Sequence, residues 1–158
     1  MMEDKLGGFH FNDSKYGDDD LTVGSIKPYQ LFLIFCELVE GMNHFNKTPQ
    51  NFGWMIDASH NTKDPLEDLL QSVEAIMIAY ARALLVDWEK LKTAQSENDV
   101  TLAQEVLQNA FRTDVRPLVA EARLKQEAAF SPIELFRQEK IREQLIRERG
   151  KNAQASGL

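Results

Sequence analysis

The stretch DPLEDLLQSVEAIMIAYARALLVDWEKL, residues 64–91, decides the fold class. Asp64, Pro65 and Glu67 fit an N-cap, a first-turn proline and an acid at N3. Behind them Leu66, Leu70, Val73, Met77, Tyr80, Leu84, Trp88 and Leu91 recur at steps of mostly three and four, the period of an α-helix. Leu69, Ile76, Ala79, Ala83 and Val86 widen that stripe beyond a coiled-coil seam, so the helix needs neighbours on several sides. The spacing predicts one long central helix over about residues 65–94, with Met77, Tyr80 and Leu84 in the core. At 1.5 Å per residue it would run about 45 Å, so it spans the molecule, bends or projects from it.

Upstream, Pro28 suits a first helical turn. Leu31, Phe32, Ile34, Phe35, Cys36, Leu38, Val39 and Met42 then cover most of a helical wheel, which marks a helix buried on most sides. Residues 44–63 hold Asn, Gly, Lys, Thr and Pro49 together with Phe45, Phe52, Trp54, Met55 and Ile56. They read as a long loop whose aromatics pack down, with a short helix near Trp54 as an option. Before Pro28, Phe9 and Phe11 alternate around His10, and Leu21, Val23 and Ile26 follow an acid run. Either a small N-terminal β-hairpin joins these two segments or the region is a disordered acidic arm.

Downstream, Ser96 to Asp99 breaks the helix, and Leu102, Val106, Leu107, Ala110 and Phe111 begin a new stripe. Pro117 should split that stripe, because it removes a backbone donor. Ser131, Pro132 and Glu134 start a last helix, to about residue 149, whose apolar residues Ile133, Leu135, Phe136, Ile141, Leu145 and Ile146 do not gather on one face. The expected fold is therefore all-α: an irregular bundle of four to five helices around the central one, with the N-terminal hairpin as an addition. The chain divides into an acidic arm or hairpin (1–20), a helical core domain (21–130), a charged C-terminal helix (131–149) and a disordered tail (150–158).

Composition narrows the function. The chain has 158 residues, 43% hydrophobic and 27% charged, which is enough for a real core without disulfides or metal. A net charge of −7 argues against binding duplex DNA, where Lys and Arg on phosphates supply most of the affinity. The single cysteine, Cys36, cannot form an internal disulfide, and its apolar setting makes it a buried, inert thiol. The longest apolar run, Ala75 to Val86, is interrupted by Arg82 and falls short of the ~20 residues that a membrane span requires. With an acidic, signal-free N-terminus, these features predict a cytoplasmic protein without nucleic-acid or membrane partners.

Chemistry-bearing motifs are sparse. No G-x-S-x-G, P-loop, G-x-G-x-x-G or His-Glu-x-x-His is present. Glu37, Glu40 and His44 share one helical face, and Asp57 and His60 are three apart in the adjoining loop. Carboxylate and imidazole suit iron, manganese or zinc, so Glu40, His44, Asp57 and His60 are the residues of a helical metalloenzyme if one exists. The commoner origin of such spacings is chance, and no metal or cofactor is expected. Arg82 reads as a snorkelling surface residue, or as half of a buried pair with Glu37, Glu40 or Glu74. The charged C-terminal helix gains little from its own domain, so it is exposed and frayed in solvent, extended, or completed by a partner. These features predict a non-enzymatic adaptor, assembly factor or regulator that binds a protein or itself through Ile133, Phe136, Ile141, Leu145, Phe52 and Trp54. An acidic inhibitor of a nucleic-acid-binding site is a further alternative.

Overall fold

Two apolar stripes pack face to face and carry the rest of the molecule. The computed structural model describes residue 3 and residues 5–17, 19–58 and 65–155. Among these, helix α1 (Pro28–His44) and helix α2 (Pro65–Leu84) form the most extensive helix pair. Phe32 and Phe35 of α1 are almost fully buried. Every element beyond α2 is helical: α3 (Trp88–Ser96), α4 (Val100–Arg112), α5 (Arg116–Lys125), α6 (Pro132–Gln138) and α7 (Ile141–Ala155). The helical class expected from the periodicity is found, as a mostly-α fold with seven helices among the described residues where four to five were expected. The candidate N-cap Asp64 lies outside the described residues.

The long central helix is broken. α2 ends at Leu84, and α3 leaves at 69° to it. Asp87 causes the break: its carboxylate accepts the N–H of Lys90 at 3.0 Å, capping a new helix where the apolar pattern alone reads as continuous. Leu84 consequently stands at the edge of the bundle. It is 53% exposed rather than buried, and lines an apolar groove with Met77, Tyr80, Leu118 and Ala122, while Ala79 and Ala83 take the inward positions. The other boundaries follow the expected caps. Asp99 accepts from Leu102 N–H at the start of α4, and Pro117 sits in the first turn of α5 after a break at Thr113–Val115. The last helix is two: Lys140, with φ +50°, separates α6 from α7, and α7 continues to Ala155.

The N-terminal strand has a different partner from the one expected. β1 (Gly8–Phe11) does not form a hairpin with residues 21–26; only an isolated antiparallel bridge joins Asp13 to Leu21. Instead β1 pairs in parallel with β2 (Gly53–Ile56), inside the segment read as a loop, after a 3-10 turn at Pro49–Asn51. The register is Gly8 with Gly53, Phe9 with Trp54, His10 with Met55 and Phe11 with Ile56. With α1 as the crossover, this is a β–α–β unit. Gly8 is required there, because a Cβ at that position would lie 2.6 Å from the Gly53 carbonyl oxygen.

Aromatic stacking fastens the sheet to the helices. Phe11 stacks on Phe35 with centroids 5.6 Å apart and rings 5° from parallel, and Trp54 lies 5.8 Å from Phe11 and 6.1 Å from Phe35. Tyr80 of α2 completes the contact at 5.9 Å from Phe35. The connection from β1 to α1 is held by its polar side chains. The buried Asp13 carboxylate accepts the N–H groups of Ile26 and Lys27, each at 2.8 Å, beside the exposed first turn of α1. Thr22 donates to Asp68, and Val23 N–H donates to Ser72 Oγ at 3.2 Å, which pins the same connection onto α2.

Candidate functional site

Alternation along the two strands separates the sheet into unlike faces. Phe9, Phe11 and Trp54 turn towards the aromatic stack, where Phe11 and Trp54 meet α1. His10, Met55 and, just past the strand end, Asp57 take the other face. His10 Nδ1 lies 3.5 Å from an Asp57 carboxylate oxygen, and the two side chains are 60% and 68% exposed. Asn12, next on that face, donates from Nδ2 to Asp20 Oδ1 at 2.7 Å. Asp19 accepts the N–H groups of Lys15 and Tyr16. Partial loss of water raises its carboxyl pKa, but these N–H groups outweigh that and hold it below the ordinary range.

An imidazole, two carboxylates and a carboxamide therefore stand at the carboxyl ends of two adjacent parallel strands. That is where ligands bind in parallel α/β architectures, because the connecting loops leave the sheet there. Such a group can hold the hydroxyls of a polar substrate and exchange protons with it.

The metal candidate is not assembled. α1 runs antiparallel to the strands, so Glu40 and His44, at its C-terminal end, lie near the start of β2. Asp57 lies past the end of β2, about 13 Å of strand rise away. Glu40 pairs instead with Lys92 at 3.3 Å, and with His44 and Trp88 it lines an open cleft at that end. His60 lies outside the described residues. Among the described residues no three His, Cys, Asp or Glu side chains are placed to hold a metal ion. Arg82 is a surface residue packed over the Phe111 ring, 4.9 Å from its centroid, and donates to the Thr113 carbonyl at 3.2 Å. The buried ion pair is made by Arg123 with Glu74.

The residues expected to meet a partner are dispersed. Phe136 is buried within its own chain at 6% exposure, as is Phe52, beneath the sheet. Ile133, Ile141 and Leu145 are half-buried. Trp54 is 37% exposed, and its indole N–H donates to the Pro49 carbonyl at 2.7 Å. No single described helix is long and apolar enough to cross a membrane.

No protein-family model matches the chain. It is 49% identical over 149 residues to a probable sugar isomerase of Rhizobium meliloti (strain 1021), and 48% identical over 149 residues to a probable sugar isomerase of Mesorhizobium japonicum. Each match covers 92% of this chain and 34% of the relative, so the chain spans about a third of the length of these proteins. The expectation of a non-enzymatic adaptor, assembly factor or inhibitor is overturned by these matches, because proteins this similar over nearly the whole chain are named as enzymes. The His10–Asp57 pair had no part in that expectation, for a physical reason. His10 and Asp57 belong to no local motif, and meet only when two four-residue strands pair across a helix. The available signal was His10 set between two phenylalanines, a polar group on the outer face of a strand.

Proposed function

We propose that residues 1–158 form part of the catalytic unit of a sugar isomerase, and that His10 and Asp57 face the sugar. The observation that carries this reading is the His10–Asp57 pair at the carboxyl ends of two parallel strands. The similarity to two probable sugar isomerases supports it. Interconverting an aldose and a ketose moves hydrogen between neighbouring carbons and their oxygens. Imidazole and carboxylate groups side by side can take a proton from one position and return it to the other. Asn12 and Asp20 supply further donors and acceptors for hydroxyl groups. A cytoplasmic setting agrees with the single, buried and unpaired thiol of Cys36.

The test is a fusion of this chain to the two thirds of the Rhizobium meliloti relative that it does not match, assayed against a panel of aldoses and ketoses. Isomerisation is expected, with a loss of about a hundredfold or more in His10→Ala and Asp57→Asn. Imidazole and carboxylate are also ligands for divalent cations, so the assay is run with and without a chelator. A folded fusion that converts no sugar in either condition would overturn the proposal.

A further inference from the structure

We propose that the outer edges of β1 and β2 are a docking surface for parallel β-strands of the part of the enzyme that residues 1–158 do not span, which would leave the carboxyl ends of the strands, with His10 and Asp57, open to the sugar. The occupant rests on the isomerase reading; the surface itself rests on the ladder. Gly53 N–H donates to the Gly7 carbonyl at 2.8 Å, and Asp57 N–H to the Phe11 carbonyl at 2.9 Å. Backbone groups along a strand alternate in direction, so these bonds set the phase. Odd-numbered residues of both strands bond inward. The N–H and C=O groups of Gly8 and His10 point to one outer edge, and those of Trp54 and Ile56 to the other. Among the described residues the sheet has two strands, so neither edge has a β neighbour.

Three observations make this a surface awaiting strands. A two-stranded sheet is marginal by itself. Parallel sheets occur almost only with both faces covered, whereas here α1 covers one and the other leaves His10, Met55 and Asp57 open. After β2, every element within residues 65–155 is a helix, so the described remainder of the chain contains no strand to add. The matched relatives supply the missing length, because about two thirds of each lies outside the match. A second copy of this chain fits less well. Two-fold pairing of like edges in one sheet runs antiparallel, and it would leave that extra length of the relatives without a place.

The test is amide hydrogen exchange on residues 1–158 alone and on their fusion to the unmatched part of the Rhizobium meliloti relative, with light scattering on both. In the fusion the Gly8, His10, Trp54 and Ile56 amides are expected to exchange at least tenfold more slowly, while amides inside α1 change little. Unchanged exchange at those four amides, or slowing confined to the helices, would overturn the proposal. So would a dimer of residues 1–158 that already protects them. If the fusion does not fold, the same four positions in the matched segment of the intact relative are read against residues 1–158 alone, with the same criteria. Edge protection in a fusion that isomerises no sugar would support the docking surface and reject the isomerase reading; isomerisation with unprotected edges would do the reverse.

Discussion

His10 and Asp57 meet at 3.5 Å from two strands that only a helix-long crossover joins, and neither side chain is buried by the contact. A pair so exposed contributes at most about 1 kcal/mol to stability. His10→Ala and Asp57→Asn should therefore unfold within about 0.5 kcal/mol of the parent in urea, even though both disable the proposed isomerase. Losses of several kcal/mol would make the pair a structural clasp.

Gly8 should be intolerant where Gly7 is not. A Cβ at Gly8 meets the Gly53 carbonyl oxygen at 2.6 Å, whereas one at Gly7 finds nothing within 4 Å. Gly8→Ala should cost about 1–3 kcal/mol through strand displacement. Gly7→Ala should be close to neutral in the same denaturation series.

Arg123 is buried against Glu74, joining α5 to α2, with Met77 Sδ at 3.5 Å from its guanidinium. Glu74→Ala strands a buried cation. About 3 kcal/mol is expected, the low end for such a loss, because Glu74 keeps a quarter of its side chain in water. Adding Arg123→Met should recover much of the deficit, a coupling that a double-mutant cycle reads directly.

Burial, with the Glu37 charge adding to it, pushes the Cys36 thiol from an ordinary 9.0 up to about 12. The folded state thus holds this proton more tightly than the unfolded chain. The associated stability is fully present below pH 9 and is lost as pH rises towards 12. Cys36→Ala should flatten stability over that window, leaving the smaller slope from Tyr80, whose hydroxyl burial also raises. At pH 8, iodoacetamide should modify the native thiol on the order of a thousandfold more slowly than the unfolded one.

Phe136 anchors α6 to the body of the protein, and Arg137 reaches Glu67 of α2 beside it. Phe136→Ala should cost about 3 kcal/mol. Deleting residues 141–158 should lower the thermal midpoint by only about 2–4 °C, because α7 packs chiefly on α6. A cut placed before Pro132 should be far more damaging, and calorimetry on the two truncations separates the cases.

The helical class was legible because stripes such as Leu70, Val73 and Met77 announce their period locally. Asp99 and Pro117 were legible for the same reason, since caps and prolines act within one turn. The break at Leu84 was not. Leu85 and Val86 continue the apolar run, and Asp87 acts as a cap only once Lys90 N–H has turned towards it. β1 and β2 were harder still. Four residues are too few to show a period clearly, and Trp54-Met55-Ile56 reads equally as a strand or as packed loop. His10 and Asp57 inherit that difficulty, because their proximity depends on a pairing between distant segments.

The parity of the two short strands has a further consequence for how this molecule tolerates changes of length. His10 and Asp57 face outward because each stands an even number of residues from Gly8 and Gly53, the pair at which the ladder begins. A single deletion in either strand inverts that count. It sends an aromatic ring into the open face and a polar group into the stack around Phe35. The same deletion at the exposed turn of Glu139 and Lys140 only re-aims α7. Length variation among proteins that keep this chemistry should therefore collect in turns between helices and be absent from residues 8–12 and 53–57.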